Sequence, residues 1–233
     1  MKGTIHPDTL QFFNELSVNN NREWFMDNKS RWEAIREQFM AFTAAVIEVM
    51  TPLDPTLGDI TAKGCLYRIN RDIRFSPDKR PYKTHIAFFL PTGGNRRCAV
   101  PGYYMQLGIE DYGLHGNCAL GGGIFMPEPA ALAAIRQEIF YNTDEFLDII
   151  NNKDYKRYFG TTFLTQKVLT RVPKDYPADW QHADLLKYKD YCSMHSVPDE
   201  LLFTDKLFDH VVRAFRATVP LNKFIIRAMY EIL

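Results

Sequence analysis

The sequence predicts an α+β fold, an antiparallel sheet of about five to six strands packed by N- and C-terminal helices, and three observations carry that reading. Apolar residues recur at steps of three and four between residues 8 and 50 and again after residue 179, as on the inner face of helices. Between about Ile60 and Val172, short segments alternate apolar with polar residues, as half-buried strands do. The connections between those segments are too short for the crossovers that parallel strands require. The 233 residues, 46% of them hydrophobic, suffice for a sizeable core, and the chain is read as one domain over 1–233. Its parts are helices at 8–50, a sheet-rich middle at 60–172 and a helical C-terminal part at 179–233.

Taken in order, Pro7 opens a short helix from Asp8 to Leu16 with Leu10 and Phe13 inward. Asn19-Asn20-Asn21 ends it and caps a long helical stretch from Arg22 to Met50, whose stripe is Ile35, Phe39, Phe42, Val46 and Val49. Trp24, Phe25 and Trp32 could line a pocket, though packing is the commoner role of such rings. Thr51-Pro52-Leu53-Asp54-Pro55 breaks the helix. Thr84 to Leu90 is apolar on both faces, as a covered central strand would be, with His85 the exception. Pro91 to Arg97 reads as a hairpin-like loop carrying Arg96 and Arg97, and Tyr103 to Glu110 alternates as a strand. Glu110 to Gly113 turns the chain, and Leu114, Cys118 and Leu120 continue the sheet with His115 and Asn117 on the opposite face.

Gly121-Gly122-Gly123 invites a phosphate-loop reading, but neither Gly-Lys-Ser/Thr nor Gly-x-Gly-x-x-Gly is present, which leaves close strand packing or a bend. Helices are predicted at Glu128 to Tyr141 and Asp144 to Asn151. Lys153 to Phe159 mixes cations with rings, a pairing single-stranded nucleic acid can use and solvated surfaces use more often. Phe163 to Val172 is read as a strand, Asp179 to Tyr188 as a short helix and Tyr191 to Val197 as extended. Leu201, Phe208, Val212 and Phe215 form one helical stripe; after Val219-Pro220 a second comprises Leu221, Phe224, Ile225, Ala228 and Ile232.

The segment from Tyr67 to Thr84 stands apart chemically. It holds Arg68, Arg71, Arg74, Lys79, Arg80 and Lys83 against only Asp72 and Asp78, an excess of four positive charges in a chain whose formal net charge is zero. Read as a strand, Tyr67, Ile69, Ile73 and Phe75 share a face, and Arg71 intrudes on it. A guanidinium there needs a carboxylate, a bound anion or a bulge that turns it out. Ser76-Pro77-Asp78-Lys79 suits a turn with Pro77 at its second position. Guanidinium forks match phosphate and carboxylate, so Arg68, Arg71, Arg74, Lys79 and Lys83 are candidate anion ligands, with Tyr67, Tyr82, Tyr103 and Tyr104 offering hydroxyls or stacking faces. Were there catalysis, Asp72, Asp78 and His85 would be the nearest acids or bases. Repulsion between neighbouring cations about 7 Å apart in water is only roughly 0.6 kcal/mol, so charge crowding alone does not demand a ligand. An internal salt-bridge network stands beside the anion site as the other reading.

Balanced charge, Lys+Arg 28 against Asp+Glu 28, excludes a surface built wholly for nucleic acid, so any such binding is local. Cys65, Cys98, Cys118 and Cys192 are widely spaced and form no Cys-x-x-Cys pair, which fits free thiols in a reducing compartment. No signal peptide opens the chain and no window approaches the ~18 apolar residues of a membrane span, so a soluble cytoplasmic protein without membrane contact is expected. A Gly-x-Ser-x-Gly elbow, His-Glu-x-x-His, a Cys/His metal spacing and a Walker lysine are all absent, so no metal or cofactor is called for. Pro77-Asp78 could begin a metal-dependent nuclease core, but Asp154-Tyr155-Lys156 lies too far downstream to complete it.

Arg68-x-x-Arg71-Asp72-x-Arg74-Phe75-x-x-x-Asp78-Lys79-x-x-Tyr82 resembles the signature of the domain of unknown function 2461 (DUF2461) family, mainly bacterial proteins of similar length. Asn20, Asn21, Glu23, Trp24 and Phe25 resemble its N-terminal element, and Gly102-Tyr103-Tyr104, Gly122-Gly123 and Met126-Pro127 its middle. Pro173-Lys174-Asp175-Tyr176 is similar to a later Pro-Lys-Gly-Tyr pattern, with Asp175 at the Gly position. The resemblance spans nearly the whole chain and implies kinship without chemistry. The functional expectation is therefore a binding module or enzyme for a phosphorylated small molecule, nucleotide or nucleic acid, against a structural or partner-interaction domain.

Overall fold

The computed structural model describes residues 3–94, 99–109, 117–161, 163 and 168–230. Its elements in chain order are α1 (Thr9–Val18), α2 (Arg22–Asp27), α3 (Lys29–Met50), α4 (Ala62–Cys65), β1 (His85–Pro91), β2 (Gly102–Gly108), β3 (Cys118–Ile124), α5 (Pro129–Tyr141), α6 (Thr143–Asn151), α7 (Lys153–Phe159), β4 (Tyr191–Ser196) and α8 (Lys206–Ala228). The α+β class is as expected. Among the described residues the antiparallel sheet has four strands in the order β1-β2-β3-β4, not five to six.

The strand expected at Tyr67 to Phe75 is absent for a physical reason. The chain around Tyr67 to Phe75 forms only isolated bridges, Leu66 to Phe88 of β1 and Asn70 to Tyr82 ahead of β1. The alternation that suggested a strand there is not matched by burial. Ile69 is buried, but Tyr67 is exposed and Phe75 is 92% exposed. Leu164 to Lys167, inside the strand predicted at Phe163 to Val172, lies outside the described residues, as do Arg96, Arg97, Cys98, Glu110 to Gly113, Leu114, His115 and Ile232.

The chain divides into two compact units, Met1–Leu90 with Tyr104–Leu120 and His195–Arg213, and Pro91–Tyr103 with Gly121–Met194 and Ala214–Leu233. In the first, the Asn21 side chain accepts from the Trp24 N–H at 2.9 Å and starts α2. The single helix expected from Arg22 to Met50 is interrupted at Asn28, whose amide donates to the Trp24 carbonyl at 2.9 Å and so competes with the helical ladder. Ile35, Phe39, Phe42 and Val46 are buried as predicted, whereas Val49 is exposed. Trp32 stacks on Phe12 with centroids 6.0 Å apart, and Phe39 meets Phe88 at 5.7 Å, so these rings are core. Arg31 bridges α3 to the first helix, donating to both Asp8 oxygens at 2.8 Å and to Glu15 at 2.6 Å.

In the second unit the glycine run lies inside β3 and does not precede a phosphate cradle. A Cβ at Gly121 or Gly123 would collide with the β4 backbone at Ser193 or Tyr191, and one at Gly122 with Thr218 of α8. Close strand packing is thus its role. The cations of α7 point outward around buried Tyr155 and Phe159, and Tyr155 shares a buried hydrogen bond with Ser193. Asp175 adopts ordinary backbone geometry; the one non-glycine residue with positive φ among those described is Met126, whose N–H is held by Asp190 at 2.5 Å.

The C-terminal helix differs from its predicted form twice. It runs through Pro220, because Val219 and Leu221 are buried on either side of it and packing outweighs the lost hydrogen bond. Its inward stripe is Leu207, Val211, Ala214 and Phe215, so Leu207 and Val211 replace the predicted Phe208 and Val212. No described helix is long and apolar enough to cross a membrane.

Candidate anion-binding site

The basic segment forms a hairpin-like loop in the first unit. Its neck is closed by Arg71 N–H to Pro81 O at 2.9 Å and Lys83 N–H to Ile69 O at 2.8 Å. Asn20 secures that neck like a piece of β-ladder: its amide donates to Tyr82 O and accepts from Tyr82 N–H, both at 3.0 Å. The Tyr82 ring stacks on Phe25 at 4.1 Å and is buried. A loop anchored this way presents a fixed base and an exposed tip.

At the tip the cations are distributed between internal partners and solvent. Arg71, on which the strand reading placed an unmet need, reaches Asp78 at 2.5 Å. Asp78 also accepts from Arg80, from the side chain at 2.7 Å and the backbone N–H at 3.0 Å. Arg74 grips Asp72 through Nε at 2.9 Å and Nη2 at 2.7 Å, with its guanidinium carbon 5.8 Å from the Phe75 ring centre. Lys79 donates to Ile73 O at 2.9 Å and Lys83 to Arg68 O at 3.0 Å, the latter ammonium also lying 5.2 Å from the Tyr67 ring centre. Arg68 is exposed and forms no side-chain hydrogen bond or salt bridge among the described residues. Two carboxylates thus serve three arginines, and the excess of four positive charges persists.

The electrostatics bear on the candidate acids and bases. Hydrogen bonds from Arg74 hold the Asp72 carboxyl below its usual range, and those from Arg80, then Arg71, do the same to Asp78. Both are ionised and occupied at neutral pH, which suits them to shaping the loop. His85 is buried in β1, and the Tyr103 ring is fully buried against Phe215 at 5.4 Å. Tyr67 and Tyr104 do meet, edge to face at 6.3 Å, and Tyr104 donates to Gln106 at 2.9 Å. The structure thus gathers Arg68, Arg71, Arg74, Lys79 and Lys83 on one loop and its neck, with Tyr67 the exposed member of the tyrosine set.

Two further groupings escape sequence reading. In the first unit His195 and His210 face each other with Nε2 atoms 2.9 Å apart, joining β4 to α8 across fifteen residues of sequence. In the second, Arg136 of α5 lies among Tyr176, Tyr188 and Tyr191. The sequence signal for the latter is faint, an arginine one helical turn before Phe140 and beside the inward-facing Ile135. Among the described residues no three His, Cys, Asp or Glu side chains form a group that could hold a metal ion.

Compared with known proteins, residues 8–224 match the family described as "Conserved hypothetical protein (DUF2461)". No curated protein and no solved structure matches the chain.

Proposed function

The chain belongs to the DUF2461 family, and from the geometry of its basic loop we propose that it binds single-stranded nucleic acid or a comparable phosphate-bearing ligand through the tip of the 67–83 loop. The observation that carries this reading is Phe75, 92% exposed beside the Arg74 guanidinium in a loop with four uncompensated positive charges. An exposed phenyl ring is costly to keep in water. Set among cations, it offers a stacking face for a base while arginine and lysine meet the phosphates on either side. The in-loop carboxylates do not preclude this. Exposed ion pairs contribute roughly 0–1 kcal/mol, so a phosphate can displace or share them.

Fluorescence anisotropy with a labelled oligothymidylate tests the proposal. Binding should weaken linearly with log salt, and Arg68→Ala should lower that slope by about one unit or slightly less. Phe75→Ala should cost about 1–3 kcal/mol, the worth of one stacked base. Absence of binding at low salt, or an unchanged affinity in Phe75→Ala, would refute it.

A second reading, an internal salt-bridge network that shapes the loop for a protein partner, draws on the double use of Asp78 by Arg71 and Arg80. It is distinguished by Asp78→Asn: a lower melting temperature with unchanged oligonucleotide and heparin retention favours this second role. A reducing cytosol as the protein's location is supported by Cys65, Cys118 and Cys192, which are buried and form no disulfide.

A further inference from the structure

Arg136 is a cation without a carboxylate partner among the described residues, and part of its guanidinium is buried. Arg31, Arg71, Arg74, Arg80 and Arg227 each reach a carboxylate. Arg136 forms no ion pair among the described residues; its Nη2 donates to the Tyr188 carbonyl at 2.9 Å. Its Nε is buried with no acceptor at all. A guanidinium carries five N–H donors and cannot relieve its burial by losing a proton. The Tyr188 carbonyl and the Tyr191 hydroxyl answer part of the guanidinium, but neither balances its charge and Nε stays unpartnered.

The surroundings specify the missing partner further. Phe140 lies one turn along α5 from Arg136 and packs edge to face against Tyr176 at 5.3 Å and Trp180 at 5.0 Å. Tyr188 leans on Tyr191 at 6.2 Å, and Tyr191 spends its hydroxyl on the Leu185 carbonyl at 2.8 Å. Arg136 acts electrostatically on both Tyr176 and Tyr191, although burial raises both phenols overall. Tyr176, Trp180 and Tyr188 are half-buried, so this aromatic wall is partly open to solvent. No aromatic face underlies the guanidinium among the described residues, so stacking does not discharge it either.

We propose that Arg136, walled by Phe140, Tyr176, Trp180 and Tyr188, anchors a second site, for the carboxylate or phosphate group of a small aromatic molecule. The oxyanion answers the unmet N–H donors and the charge, as the guanidinium fork is shaped to do, while the rings cover the ligand's planar body. This site stands independently of the exposed loop and rests on none of its residues.

The test is titration of the full chain with benzoate, phenyl phosphate and inorganic phosphate. It is followed by calorimetry and by the indole N–H resonances of Trp24, Trp32 and Trp180. Benzoate or phenyl phosphate should shift the Trp180 resonance and leave Trp24 and Trp32 in place. Arg136→Gln should lose about tenfold or more in affinity, the scale of one charge-assisted hydrogen bond, while Arg136→Lys retains part of it. Phe75→Ala should bind these probes as the wild type does, and Arg136→Gln should bind oligonucleotide unchanged, which separates this site from the loop. The wild-type Trp180 resonance provides the readout even if a variant does not fold. Shifts at Trp24 or Trp32 alone, no binding of either aromatic anion, or equal affinity for inorganic phosphate and phenyl phosphate would overturn the proposal.

Discussion

Replacing Gly123 with alanine separates a packing role for the glycine run from a ligand-cradling one. Gly123 has φ +114°, a region L-residues rarely enter, and an added Cβ would meet the carbonyl oxygen of Tyr191 on the neighbouring strand. The backbone strain is of order 1–3 kcal/mol. Forcing strands apart to admit a methyl group adds about 1–3 kcal/mol more. A total of roughly 2–6 kcal/mol in a chain of this size corresponds to a fall in melting temperature of about 4–24 °C. Gly58→Ala is the control: its φ/ψ of +59°/−150° is also a region that glycine alone enters readily, but open space surrounds it, so strain alone acts and the cost is about 1–3 kcal/mol. Denaturant midpoints in phosphate-free buffer measure both, and repetition with added phosphate shows whether either loses an anion-dependent increment. A Gly123→Ala protein as stable as Gly58→Ala, but no longer stabilised by phosphate, would refute the packing argument and restore the phosphate-loop reading.

Arg31→Met should destabilise the chain by about 1–2 kcal/mol at pH 7, a figure already reduced for the partial exposure of the pairs it breaks. Hydrogen bonds from Arg31 hold the Asp8 and Glu15 carboxyls below their ordinary values of 3.8 and 4.5, so this stability is present above those values and lost as pH falls through the folded ones. Urea midpoints of wild type and variant should therefore converge in acid; a constant gap would sink the linkage. Tyr155→Phe leaves the Ser193 hydroxyl buried without its partner and should cost about 1–3 kcal/mol, and Tyr155→Phe with Ser193→Ala should cost less than the two singles summed. Burial pushes the Cys192 thiol up to about 12 and raises that of Cys118, so both should resist maleimide at pH 8 until the chain unfolds, as peptide mapping would show. Rapid native labelling of either would contradict their burial.

Periodicity located the long helices because a buried stripe repeats over many turns, and an error of one position, as at Leu207 and Val211, still leaves an inward face. The same logic misled at Tyr67 to Phe75. Alternation over a few residues is compatible with a strand, but only a partner strand makes it one, and here the ladder stops after isolated bridges. Asn28 and Pro220 show the two directions in which local chemistry and packing can disagree: a side-chain amide ended a helix that the apolar pattern continued, and a proline failed to end one whose flanks were buried. Asn20 was legible as a turn residue, yet its bidentate grip on Tyr82, sixty-two residues away, belongs to the tertiary structure alone.

Charge is where sequence and structure diverge most, because a sequence counts cations whereas desolvation decides what each one needs. The 67–83 loop holds the densest positive charge, yet water and two aspartates already meet most of its demand, and any ligand it takes competes with both. Arg136 is one arginine in an ordinary helix, but its buried Nε has no acceptor. Exchanging Arg136 for methionine should therefore leave the melting temperature unchanged or raise it, since the substitution removes a half-buried cation that has no carboxylate among the described residues and keeps an apolar stem on the Phe140 face of α5. Arg71→Met should do the opposite, stranding Asp78 with Arg80 alone. Scanning calorimetry of the two variants in anion-free buffer decides the matter, and a larger loss at Arg136 than at Arg71 would mean that the guanidinium is held for stability and has its partner within the chain.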